Sequence, residues 1–169
     1  RLFMIFIKVE QVNDHLGCLQ KGLSHPIKSL QQKSIYQERR DRMISVDFDE
    51  YQEGLIRCYE DLDIGKGDNL YVTGNLGRLG RVRIPKDQKL VGLHKGLCRL
   101  IGEDGSIFST SESMNLCNTD IPFDKKATPS HQMGPLAEYF RTLPNAKRSL
   151  HPFWSISGTG PQSVILDNV

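Results

Sequence analysis

No apolar run in this sequence approaches the roughly 18 residues that a bilayer-spanning helix requires. The run Leu2-Phe3-Met4-Ile5-Phe6-Ile7 behind Arg1 is too short for a signal peptide and lacks a small-residue cleavage site. It reads as a buried strand, and a membrane is excluded as a partner. An excess of one charge is also lacking: 22 Lys and Arg stand against 20 Asp and Glu, for a net charge of +2. So small an imbalance argues against nucleic acid as a partner of the whole chain. Cysteine is sparse and scattered. Cys18, Cys58, Cys98 and Cys117 form neither a C-x-x-C pair nor a metal-ligand group with the five histidines, so no metal is expected, and reduced thiols fit a cytoplasmic protein. The flanks of the first three cysteines share no apolar pattern, which excludes a repeat.

What remains is ordinary: 38% hydrophobic and 25% charged residues over 169 positions, the composition of a globular chain long enough for one self-sufficient core. Residues 11–44 show no sustained apolar period. From Asp47 onward Phe48, Tyr51, Leu55, Tyr59 and Leu62 recur at three- and four-residue steps, one face of a helix, with Asp47 and Glu50 as a capping box. Asn69 to Thr73 is β-branched and aromatic, a strand. Leu90, Leu93, Leu97 and Ile101 mark a second helix, and Ser106 to Thr110 a second strand. Strand, helix, strand with short connections predicts parallel pairing. A polar loop between Glu112 and Ser130 follows, then a helix of about three turns through Met133, Leu136, Ala137 and Phe140, capped by Thr128 or Ser130 and ended by Pro144. Phe153 to Ser157 reads as a strand entered through the extended dipeptide His151-Pro152.

Three linked stretches carry a resemblance: Thr128-Pro129-Ser130, Met133-Gly134-Pro135-Leu136-Ala137-Glu138-Tyr139-Phe140-Arg141, and Arg148-Ser149-Leu150-His151-Pro152-Phe153-Trp154-Ser155. In this order they resemble the central motif of the aminoglycoside 3-N-acetyltransferase family. Gly67 to Val72 and Asn75 to Gly80 resemble its first strand and CoA-contacting loop, although the family has a His-Ser-Ser type sequence where this chain has Thr73-Gly74-Asn75. The resemblance implies an α/β fold with a parallel or mixed central sheet and flanking helices. It also implies an acyl-CoA-binding acyltransferase-like domain over residues 47–169, incomplete at its C-terminus, behind an N-terminal segment 1–46 of no assigned role. The implied activity is acetyl transfer from acetyl-CoA to an amine of an aminoglycoside or related aminosugar, a profile of antibiotic resistance, with a homodimer left open. A non-catalytic CoA-binding or interaction module is the alternative.

Such a transfer needs a proton acceptor, a donor to the oxyanion and a cradle for the coenzyme's phosphates. His151 is the candidate base, since imidazole titrates near operating pH. The alternative is a buried histidine donating to a backbone carbonyl and packing beside Trp154. Glu138 is a candidate to orient His151 or to attract a cationic aminosugar, and an ion pair with Arg141 three residues on is equally open. Arg148 and Ser149 serve either the ligand or the loop backbone. For CoA, Thr73, Gly74, Asn75, Leu76 and Arg78 offer free N–H groups and glycine in a strand-to-helix passage. Arg78, Arg81, Arg83, Lys86 and Lys89 supply positive charge nearby without aromatics for base stacking. Asn115, Asn118, Asp120 and Asp124 form either an acidic surface for a polycation or a set of turns.

Overall fold

The structure, a computed structural model, describes residues 2–6, 46–60, 62–74 and 82–169. Helix α1 spans Phe48–Glu60. It begins where the spacing indicates: the Asp47 side chain accepts the Glu50 N–H at 2.8 Å, satisfying one of the orphan donors of the first turn. Helix α2, Lys86–Ile101, packs against it. Tyr51, Leu55 and Tyr59 of α1 meet Leu93 and Leu97 of α2 in one buried cluster. Gly92 lets the two helices approach, because a Cβ there would sit 3.0 Å from Cε1 of the Tyr51 ring.

Five strands form one sheet: β1 (Leu2–Phe6), β2 (Asn69–Thr73), β3 (Ser106–Thr110), β4 (Lys147–Arg148) and β5 (Ile156–Thr159), in the order β1-β2-β3-β5-β4. β1, β2 and β3 run parallel, with α2 joining β2 to β3 as the strand-helix-strand pattern requires. β5 then pairs antiparallel with β3, and β4 antiparallel with β5. The sheet is therefore mixed, within the α/β class. Leu70 and Val72 are fully buried, and every residue of the central strand β3 is buried, as expected of a strand covered on both faces. The segment ahead of residue 47 contributes β1 to this sheet. Residues 7–45 lie outside the described residues.

Three expectations shift. Helix α3 is Gly134–Arg141, eight residues rather than three turns: Pro135 sits in its first turn, and Thr142 ends it by bonding the Glu138 and Tyr139 carbonyls through Oγ1. Neither Thr128 nor Ser130 caps it; the N-cap is Met133 without a side-chain bond. Thr128 Oγ1 instead accepts the Asp124 N–H at 2.9 Å, and Ser130 gives its N–H to Glu138. Finally, the strand expected over Phe153–Ser157 begins at Ile156, since the N–H groups of Phe153 and Trp154 are directed to the His151 ring and not to a neighbouring strand. The two-residue β4 carried no alternation to mark it.

After β5 the chain turns at Gly160, φ +96°, into a 3-10 helix, Pro161–Asp167. A Cβ on Gly160 would collide with the Gly105 carbonyl and lie 2.7 Å from Ser106 Cα. Backbone cannot yield as a flexible side chain would, and a positive φ adds strain for any L-residue. Gly160→Ala is expected to cost about 2–4 kcal/mol, read as a lower urea midpoint at unchanged slope.

Candidate active site

β2 and β3 end at Thr73 and Thr110, and β5 begins at Ile156 opposite Thr110. The carboxyl ends of the parallel strands, the loop 111–131 and the tip of the β4–β5 hairpin thus share one end of the sheet, where open α/β sheets place their ligands. Thr73 is half-buried and Gly74 exposed there. Asn75, Leu76 and Arg78, with Arg81, lie outside the described residues. Lys86 and Lys89 stand in the first turns of α2.

Arg148 organises this end. It is 4% exposed, and its guanidinium directs its donors to neutral oxygens. Nε bonds Ser155 Oγ at 2.9 Å, one terminal nitrogen bonds the Thr128 carbonyl and, at 3.5 Å, that of Lys125, and the other bonds the Ser111 carbonyl and Ser113 Oγ at 2.6 Å. The ring of Phe123 lies 4.8 Å from its central carbon. Three chain segments distant in sequence are tied to one planar fork. Of the two roles open to Arg148, holding the loop backbone is the one observed. Burial, reinforced by the neighbouring Arg141 and opposed by Glu138, pulls its pKa down to about 10. Around it lies a layer of buried serines: Ser111 Oγ donates to Ser157 Oγ at 2.6 Å, and Ser155 Oγ to the Ser111 carbonyl at 2.7 Å. This layer was missed from sequence, although Ser109, Ser111 and Ser113, and Ser155 and Ser157, alternate at the two-residue period that puts them on one strand face.

Ser149 closes the hairpin, its N–H on the Ile156 carbonyl at 2.9 Å and its Oγ accepting the Ile156 N–H at 3.1 Å. His151 stands beyond it at the tip, exposed, 6.1 Å edge-on from the Phe153 ring. Its Nδ1 accepts the N–H of Phe153 at 3.3 Å and of Trp154 at 3.1 Å. That arrangement puts the neutral ring's proton on Nε2. Tip backbone and imidazole therefore hold one another, and Nε2 is the atom left to meet a ligand as a donor.

Glu138 is engaged elsewhere. Its Oε2 accepts from Arg141 Nε and from the Ser130 N–H, each at 2.9 Å, and its Oε1 accepts from one terminal nitrogen of Arg141, whose other terminal nitrogen donates to the Lys126 carbonyl. These bonds, Arg141 foremost, hold its carboxyl below the ordinary range. The ion pair is the role observed, and among the described residues no hydrogen bond joins Glu138 to His151. In the long loop, Asn118 adopts φ +58°, and Asp124 accepts the N–H groups of Lys126 and Ala127 at 2.7 Å; both form turns. The acid that sequence overlooked is Glu112, half-buried just past β3, whose Oε1 accepts from Thr110 Oγ1 at 3.2 Å. Tyr71 shares a hydrogen bond with the same threonine, and burial raises its pKa.

The sequence pattern of the family described as Aminoglycoside 3-N-acetyltransferase matches residues 76–168, more than half of the chain. This chain belongs to that family. Solved structures of similar fold include the YokD protein from Bacillus subtilis, at 25% identity and TM-score 0.59 over 69% of this chain and 53% of that one. Aminoglycoside acetyltransferase AAC(3)-IVa is 30% identical, with TM-score 0.56, over 69% of this chain and 43% of its own; it has also been crystallised as a mutant with a gentamicin and with apramycin. AAC-IIIb, in a binary complex with CoASH, shares the fold at 19% identity and TM-score 0.56, over 71% and 48% of the two chains. The chain spans about half the length of the structures it matches. No match is found among curated proteins.

Within this member of the family, the matched stretch runs from the loop after β2, through α2 and β3, to the hairpin that carries His151. It includes Arg148, Glu138 and Glu112, and the three quoted motif stretches are the loop, helix and hairpin that Arg148 and Arg141 stitch together. No helix among the described residues is long and apolar enough to cross a membrane.

Proposed function

We propose that the site transfers the acetyl group of acetyl-CoA to an amine of an aminoglycoside or related aminosugar by direct attack. The observation that carries this is the position of His151, exposed on a hairpin tip at the carboxyl ends of β2 and β3, inside the segment that matches the family. The acceptor nitrogen attacks the thioester carbonyl carbon, the C–S bond breaks, and the leaving sulfur keeps the electron pair. The amine's proton passes to His151. To take it, the ring leaves the two backbone bonds at Nδ1, a rotation that its exposed position permits. Thr73 and Gly74 begin the stretch, continuing through Asn75, Leu76 and Arg78, that cradles pantetheine and diphosphate. Glu112 offers a carboxylate to a cationic acceptor, with the Thr110 hydroxyl donating to it. The CoASH complex of AAC-IIIb and the gentamicin and apramycin complexes of AAC(3)-IVa support this choice of substrates.

The test is thiol release from acetyl-CoA, followed spectrophotometrically with this chain across a panel of aminoglycosides and simpler aminosugars. Acceptor-dependent release is expected. CoA binding without release for any acceptor would replace this reading with a non-catalytic CoA-binding module.

A further inference from the structure

A cavity of about 570 Å³ lies apart from the hairpin tip, between the loop 111–131, the turn from α3 to β4, and the C-terminal 3-10 helix. The residues that line it include five cationic ones, Lys125, Lys126, Arg141, Lys147 and Arg148, and one acid, Asp167.

The charges do not cancel. Lys147 pairs with Asp167, and Arg141 with Glu138. Lys125 and Lys126 have no ion-pair partner among the described residues. Arg148, buried, directs its N–H groups to neutral oxygens alone. Lys126 sits near Asp124 and Arg148 in the field of Glu138, yet the concavity keeps a surplus of positive charge, since its one lining carboxylate is already paired with Lys147, and an anion entering it meets a favourable field. Donors are also available. Arg141 uses Nε and one N–H of each terminal nitrogen on Glu138 and the Lys126 carbonyl, which leaves two of its five. The two lysine ammonium groups add three donors each. A polycationic aminosugar is repelled from such a wall, so this cavity is not the acceptor site.

We propose that this cavity is an anion site for a phosphomonoester dianion, bound by Lys125, Lys126 and the free edge of Arg141 within the field of Arg148. A dianion answers the surplus charge better than a carboxylate, and tetrahedral oxygens can accept from three converging donors at once. Two sources share this chemistry: the 3′-phosphate of CoA and free phosphate. The first source rests on the acetyl-transfer reading, and the second does not.

The experiment is a calorimetric titration of the full chain with CoA, dephospho-CoA and inorganic phosphate, repeated with Lys125→Ala/Lys126→Ala. If CoA is the source, CoA binds at least roughly tenfold more tightly than dephospho-CoA, and this gap closes in the double variant while dephospho-CoA binding, the control for folding, is unchanged. If free phosphate is the source, the two coenzyme forms bind alike, and inorganic phosphate binds saturably and at least roughly tenfold more weakly to the variant. Absence of both signatures in the unaltered chain overturns the site, as does either signature surviving in the variant. Dephospho-CoA and CoA both failing to bind would count against the acetyl-transfer reading, while saturable, lysine-dependent phosphate binding would still stand for the cavity.

Discussion

Arg148→Ala is expected to lower the unfolding free energy by about 3 kcal/mol or more, among the largest effects a single substitution produces. The guanidinium is the common partner of the Ser111 and Thr128 carbonyls and of the Ser113 and Ser155 hydroxyls. Its removal leaves acceptors inside a site from which solvent is excluded, each costing about 1–3 kcal/mol when unpaired. The cost of burying the cation opposes the gain from these bonds, which is why the expected total is well below a sum over all of them. Arg148→Lys is expected to recover little, because an ammonium has three donors and no planar fork to span three segments. Urea unfolding of both variants checks the point. A loss under about 1 kcal/mol would show that water replaces the guanidinium and that the loop stands without it. Because the loop 111–131 meets the hairpin through this network and the strand contacts beside it, Arg148→Ala should also blunt any activity at the tip.

His151→Ala is expected to reduce turnover of acetyl-CoA with an aminosugar by roughly a hundredfold or more while leaving the KM for acetyl-CoA nearly unchanged. The difficulty is that His151 has two duties. Its Nδ1 also receives the Phe153 and Trp154 N–H groups, so alanine removes a turn-forming acceptor along with a base. His151→Asn separates them: the amide oxygen can accept the same backbone donors, yet the side chain takes up no proton at neutral pH. If turnover falls equally in both variants, proton transfer is what was lost. Turnover restored in the asparagine variant would make His151 a structural residue of the tip.

Much of the architecture was legible because it rests on local periodicity. Tyr51, Leu55 and Tyr59 marked the buried face of α1, Asp47 its cap, and Leu90 to Ile101 the buried face of α2, all from spacing along the chain. The parallel pairing of β2 with β3 followed from the helix between them. Elements that hydrogen-bond across long separations were not legible. β4 is two residues long, too short for any pattern, and exists because β5 supplies an edge. The displacement of the start of β5 from Phe153 to Ile156 depends on a histidine ring accepting backbone donors.

The same division runs through the site. Side-chain chemistry belongs to the sequence: the imidazole of His151, the carboxylate of Glu138 and the fork of Arg148 were recognisable as groups, and their spacing within three motif stretches pointed to the family that the chain proves to belong to. Partnership belongs to the fold. Glu138 could have faced a histidine or an arginine, and Arg141 won because one helical turn brings it within reach whatever the hairpin does. Arg148 meets Ser111, Ser113 and Thr128 only once an antiparallel strand has been laid beside a parallel one. Local periodicity is written in neighbouring residues, so the sequence alone determined helices α1 and α2, the parallel pairing of β2 with β3, and the family. Which charges cancel and which are left facing one concavity depends on segments 20 to 37 residues apart, and only the tertiary structure decided that.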